Sequence, residues 1–146
     1  MRGLSIFILA ALMPAHLPAQ PSAPSEPITI EHYYRIKWGS AGQFKELYQR
    51  NHQPLLDEMK RQGFITTIQT EEPFSHMAGG QRWDLRVRIT YRDAPSAIVV
   101  GGTFDKAFDA SKAKLYPDKV KLDREENQRF SLLEEHWDVI VTPSGD

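Results

Sequence analysis

The sequence predicts an α+β fold with the element order β-α-β-β-α-β. Three observations lead there. Two segments alternate apolar and polar residues with period two, two more are short runs of strand-forming residues, and two intervening stretches carry apolar residues at helical spacing. The helical stretches follow the first and third strands, and right-handed crossovers through them give a four-stranded antiparallel sheet of order 4-1-3-2 with helices on one face. In that order the second strand lies at an edge, where Pro73 at its far end leaves no ladder hydrogen bond unmade.

The predicted domain follows a leader. Arg2 and the apolar run from Leu4 to Met13 have the charge and length of a signal peptide, too short to span a bilayer. Ala15 and Ala19 are the possible cleavage positions. Cleavage after Ala19 makes residues 1–19 the signal peptide and Gln20 the mature N-terminus. Residues 20–27 hold three prolines in eight positions and read as an extended linker. A single α+β domain then occupies 28–143. The expected location is exported, periplasmic or secreted, with no membrane association after signal removal. The chain has no cysteine, so disulfides, thiolate chemistry and lipid attachment at a lipobox-type cysteine are ruled out.

The first strand is Ile28 to Lys37. Ile28, Ile30, His32, Tyr34 and Ile36 share one face; Glu31, Tyr33, Arg35 and Lys37 share the other. Ser40 opens a helix, with Gln43 at capping-box spacing. Phe44, Leu47, Tyr48, Leu55, Leu56 and Met59 form its apolar face. Pro54 predicts a kink near Asn51, and Gly63 the end. Phe64 to Glu72 is the second strand and Arg82 to Arg92 the third, with Ala78-Gly79-Gly80 as the turn between them. The second helical region is broken. It starts at Asp93-Ala94-Pro95-Ser96, is interrupted at Gly101-Gly102, and restarts at Pro117. Trp137 to Thr142 is the last strand.

The 146 residues allow one domain, and 40% hydrophobic with 25% charged residues is ordinary for a globular protein. A formal charge of -1 leaves no nucleic-acid footprint. No P-loop, G-x-S-x-G or G-x-G-x-x-G is present.

The element order, with His52-Gln53-Pro54-Leu55-Leu56 inside the first helix, resembles the dimeric α+β-barrel (ferredoxin-like) superfamily, nearest its EthD-like and NIPSNAP-like branches. The resemblance implies a homodimer that pairs the open faces of two sheets, with a small-molecule pocket between sheet and helices. It implies no single reaction, because the superfamily holds monooxygenases, haem enzymes, cyclases, isomerases and members without known activity. The haem-degrading branch uses an asparagine on the first strand and a histidine on the second helix. Here the strand offers Glu31, Tyr33 and Arg35, and residues 93–133 contain no histidine, so haem degradation is not expected.

The candidate site residues lie on the polar strand positions. Arg35, Arg86 and Arg88 read as binders of a small anionic or aromatic ligand, with Glu31 and Asp138 orienting them and His136 beside them. The same pattern also reads as a solvated face with cross-strand ion pairs. His52 reads as a general base titrating near neutrality, a metal ligand, or a structural partner for a carbonyl that Pro54 leaves free. Tyr33 reads as a proton donor or as packing. His32, His52, His76 and His136 show neither HExxH nor His-x-His spacing, so no metal is assigned, and no cofactor. The expected function is small-molecule binding or an accessory role. The alternative is a cofactor-independent enzyme, of monooxygenase, isomerase or cyclase type, acting on a small polar or aromatic acid.

Overall fold

The structure is a computed structural model that describes residues 26–75 and 77–142. The leader, its cleavage bond and most of the linker lie outside the described residues. The elements run β1 (Ile28–Ile36), α1 (Ala41–Leu47), a π-helical turn (Tyr48–His52), α2 (Gln53–Arg61), β2 (Ile65–Glu71), β3 (Leu85–Tyr91), α3 (Ala94–Ile98), α4 (Thr103–Leu115), α5 (Lys119–Ser131) and β4 (Leu133–Val141). The sheet order is β2-β3-β1-β4, every pair antiparallel. This is the expected 4-1-3-2 arrangement of a ferredoxin-like fold, and β2, with Pro73 just beyond it, is an edge. No helix among the described residues is long and apolar enough to cross a membrane.

Ile30, Tyr34 and Ile36 of β1 and Leu85, Val87, Ile89 and Tyr91 of β3 are buried against Phe44, Tyr48, Leu56 and Met59 from the first helical segment. Phe44, Met59 and Val87 are fully buried, each stabilising the fold by about 1.5–3 kcal/mol relative to exposure. Truncating Met59 to alanine would cost about 2–5 kcal/mol, since a sealed core does not collapse around the gap. No helix among the described residues covers the other sheet face.

The kink expected near Asn51 takes the form of the π turn. Pro54 has no N–H for the carbonyl of Arg50 four residues back, and the widened turn accommodates it without ending the helical segment. That carbonyl accepts instead from the Tyr116 hydroxyl, at 2.8 Å, so the structural task foreseen for His52 falls to Tyr116. Asn51, also in the turn, is buried and donates to Glu125 of α5 at 2.9 Å. Gly63, at φ 80°, ends the segment in the left-handed region.

Ser40 makes no side-chain capping bond, against expectation. Asp93 does, accepting from the Ser96 amide at 2.7 Å to open α3. β4 begins four residues before the expected Trp137. A bulge between Arg35 and Ile36 lets β1 keep pairing as far as Leu133, and Lys37 donates its amide to Leu132. Glu134 and Glu135 hid this start, because charge in a strand belongs to an edge that faces water.

Candidate functional site

The register divides the expected site residues between opposite faces of the sheet. Tyr33 pairs with Arg86 of β3 and Trp137 of β4, and Glu31 with Arg88 and Val139. Directly paired residues share a face, so Tyr33, Glu31, Arg35, Arg86, Arg88 and Trp137 stand on the open face. His136 and Asp138 therefore project from the helix side. This corrects their expected place beside the arginines. The pattern of Trp137, Val139 and Val141 suggested an inward face, but the pairing of Tyr33 with Trp137 turns those residues outward.

On the open face each arginine already has a carboxylate. Arg88 donates to Glu31 at 2.8 and 2.5 Å. Arg86 donates to Glu71 at 2.6 Å and lies over Trp83. Arg35 pairs with Glu135 at 2.8 Å and donates to the carbonyls of Arg82 and Gly80. Tyr33 donates to Glu31 at 2.5 Å and stacks on Trp137, ring centres 5.2 Å apart. The Tyr33 hydroxyl first, and then Arg88, hold the Glu31 carboxyl below its usual range although the residue is buried. Asp84 accepts from the Ile36 amide at 2.7 Å and stabilises the start of β3. The internal ion pairs thus follow the solvated-face reading, with Glu71 and Glu135 as partners that the sequence pattern did not single out.

The helix side holds a different constellation. A cavity of about 270 Å³ lies between sheet and helices. Its apolar wall includes Leu56, Ile89, Tyr91, Phe104, Phe108 and Phe130; its polar wall is His32, Tyr34, His52, Arg129, His136 and Asp138. His52 therefore does not converge with Tyr33 and Arg86, which stand across the sheet. A larger hollow of about 510 Å³ beside Trp38 and Phe74 has Lys37, Glu72 and Asp84 as its ionisable groups. Glu72 and Asp84 are engaged there by Lys45 and the Ile36 amide, whereas the smaller cavity is lined by polar side chains with buried atoms unpartnered among the described residues.

His32 sits opposite Asp138 in the β1–β4 ladder, with Nδ1 2.7 Å from Oδ1. The bond from His32 holds the Asp138 carboxyl below its ordinary range. An ionised carboxylate only accepts, so Nδ1 carries the proton. In a neutral ring Nε2 is then the lone pair, and this buried atom has no partner among the described residues. His136 Nε2 lies 3.4 Å from the same Asp138 oxygen, and its ring stacks on Tyr34 at 4.5 Å. Burial holds the His136 imidazole below its usual range.

Arg129, on α5, is 2% exposed. It donates to Glu126 at 2.6 and 3.2 Å and lies over the ring of Phe130, 4.4 Å from its centre. Its Nη1 is buried without a partner among the described residues. A buried guanidinium with an idle donor is costly unless an acceptor arrives. The Tyr48 hydroxyl, also buried, makes no hydrogen bond among the described residues, although the Tyr34 hydroxyl is near enough to influence its titration. Burial pushes the ionisation of both tyrosines upward, so both stay protonated.

The π turn carries His52 to this cavity, its ring 5.0 Å from that of Tyr48. His52 is partly buried. Burial first, and then the charge of Arg129, push its pKa down to about 3. The expectation of titration near neutrality is not met, and His52 offers a neutral imidazole at physiological pH. Sequence reasoning missed Arg129, His32 and the pairing of Asp138. The signals were present: His136-x-Asp138 has strand spacing, and His32 interrupts an inward row of Ile28, Ile30, Tyr34 and Ile36.

No family model matches the chain, and no curated protein matches it. Solved structures do. The chain is similar to an Arabidopsis thaliana protein at 10% identity, covering 82% of this chain and 97% of that one, with a TM-score of 0.46. It is similar to a NIPSNAP family protein from Agrobacterium tumefaciens at 12% identity, covering 86% and 92%, TM-score 0.44. A dimeric ferredoxin-like protein of unknown function from Thermobifida fusca is 9% identical, covering 88% and 100%, TM-score 0.46. The fold assignment itself stands on the chain's own strand order and register.

Proposed function

We propose that the protein is an exported homodimer that binds a small planar, oxygen-bearing molecule in the helix-side cavity and transfers a proton on it. The observation that carries this reading is His32. Its Nδ1 is held by Asp138, its Nε2 is buried and unpartnered, and it lines the same cavity as the idle Nη1 of Arg129. Arg129 takes the ligand's carboxylate or enolate oxygen, and the Phe and Tyr wall takes the ring. His32 Nε2 accepts a proton from an acidified C–H or O–H of the ligand and returns it. Asp138 fixes the ring and stabilises the imidazolium that forms. His52, neutral, serves as a hydrogen-bond partner and not as the general base that was one of its three readings from sequence.

A homodimer through the open sheet face is supported by the aromatic patch of Tyr33 and Trp137, bordered by charges of both signs that a two-fold axis can match. Export is supported by the leader pattern of residues 1–19.

Calorimetric titration with benzoates and phenols tests binding. Arg129→Met is expected to weaken it at least tenfold, about 1.4 kcal/mol, while Arg86→Ala, across the sheet, leaves it unchanged. For proton transfer, the readout is solvent deuterium entering the α-carbon of a bound aryl ketone. His32→Gln should abolish incorporation while binding persists. Equal incorporation in the variant would remove His32 from the chemistry, leaving binding alone.

A further inference from the structure

We propose that His32, His136 and Asp138 bind one divalent cation of the zinc, cobalt, nickel or iron(II) class, with a coordination position open to the cavity. His136 and Asp138 are two apart on β4 and share its helix-side face, and His32 stands opposite Asp138 on β1. One donor atom from each residue lies within 4.8 Å of the other two. The atoms that face one another are His32 Nδ1, Asp138 Oδ1 and His136 Nε2, at 2.7 and 3.4 Å from the shared oxygen. Ligand atoms about 2.0–2.2 Å from one tetrahedral cation stand about 3.3–3.6 Å apart. Side-chain movements below about an ångström therefore convert the hydrogen-bonded cluster into a coordination shell.

The donor set selects the cation. Two imidazoles with one carboxylate suit zinc and its first-row neighbours, whereas magnesium and calcium prefer oxygen. Both supporting strands lie in one hydrogen-bonded ladder, so the donors are placed by rigid elements. Three protein ligands leave a fourth position for water or an anionic ligand, as in catalytic rather than structural zinc sites.

This inference uses the cavity described under the proposed function and goes beyond it. A cation on Nδ1 replaces the proton that His32 shares with Asp138. The ring proton then resides on Nε2, which becomes a donor to the bound ligand. Metal-free and metal-loaded forms thus perform different chemistry, and the cation suppresses the proton-transfer activity of the metal-free form.

The test uses the untagged chain, stripped with a chelator and titrated with Co²⁺ and then Zn²⁺. One equivalent of cobalt is expected to produce the visible absorption of a four-coordinate ion, and one equivalent of zinc to displace it. Asp138→Asn and His136→Gln should each weaken zinc binding at least about tenfold. The Asp138 side chain is 49% exposed, so its replacement does not threaten the fold, and circular dichroism confirms that. Absent cobalt bands, or unchanged zinc affinity in both variants, would overturn the proposal. Binding of benzoates to the chelated protein without any cation site would sink this inference alone. Cation binding without any benzoate binding would sink the ligand reading alone.

Discussion

The Tyr116 hydroxyl caps the carbonyl of Arg50, the backbone group that Pro54 cannot reach. The bond joins the π turn to the junction between α4 and α5, 66 residues further along the chain. Proline within a helix normally forces a kink or a break. Here the freed acceptor is satisfied from outside and the helical segment runs on.

Tyr116→Phe removes that donor and little else. The expected loss is about 1 kcal/mol of stability, the net worth of an ordinary hydrogen bond. Urea unfolding of the two proteins checks it. Identical midpoints would mean that water caps Arg50 equally well.

The Glu31 carboxyl titrates below its ordinary value because Tyr33 and Arg88 bond its charged form. The native state therefore binds fewer protons than the unfolded chain in acid. The stabilisation is fully present above the unfolded pKa, near 4.5, and is lost as pH falls through the lower folded value. Glu31→Gln should cost about 1.5–3 kcal/mol at pH 7, the range for hydrogen bonds to a charged group, and flatten the acid limb of the stability curve. Denaturant midpoints followed from neutral pH into the acid limb test this. A parallel loss at every pH would contradict it.

Tyr33 and Trp137 should form the centre of a two-fold interface. Sedimentation equilibrium at tens of micromolar, an order-of-magnitude choice for a specific contact, is expected to show a dimer. Trp137→Asp should shift it to monomer without loss of secondary structure. A monomeric wild type at that concentration rejects the interface.

Export predicts a mature chain beginning at Gln20. N-terminal sequencing from the extracytoplasmic fraction checks both the location and the bond. A protein that retains Met1 in the cytoplasm would refute export.

The fold was legible because its signals are local. Period two in Ile28–Ile36 and Leu85–Tyr91, the apolar face from Phe44 to Met59, and Pro73 at an edge each followed from a few neighbouring residues. The site depends on register, which no local pattern specifies. Which face His136 and Asp138 occupy is decided by Tyr33 pairing with Trp137, within a register that runs unbroken from Thr29–Val141 to Arg35–Glu135. Placing His136 and Asp138 with the arginines put Trp137, Val139 and Val141 inward, as their apolar alternation suggests. It fails for β4, whose helix side borders a cavity. Arg129 was illegible for a related reason. A charged residue near the end of a polar helix reads as solvated until packing against Phe44, Tyr48 and Phe130 buries it.

The π turn also sets the phase of everything after it. Each residue of an α-helix advances the chain by about 100°, and the widened turn holds one residue more than an α turn would. Asn51 thereby meets α5, His52 meets the cavity, and Leu55, Leu56 and Met59 still meet the core. Winding the same residues as an unbroken α-helix would rotate α2 by that angle. The core contacts of α2 and the positions of Asn51 and His52 would then compete for the same rotation. The extra residue is what lets one continuous helical segment serve two surfaces whose demands are out of step.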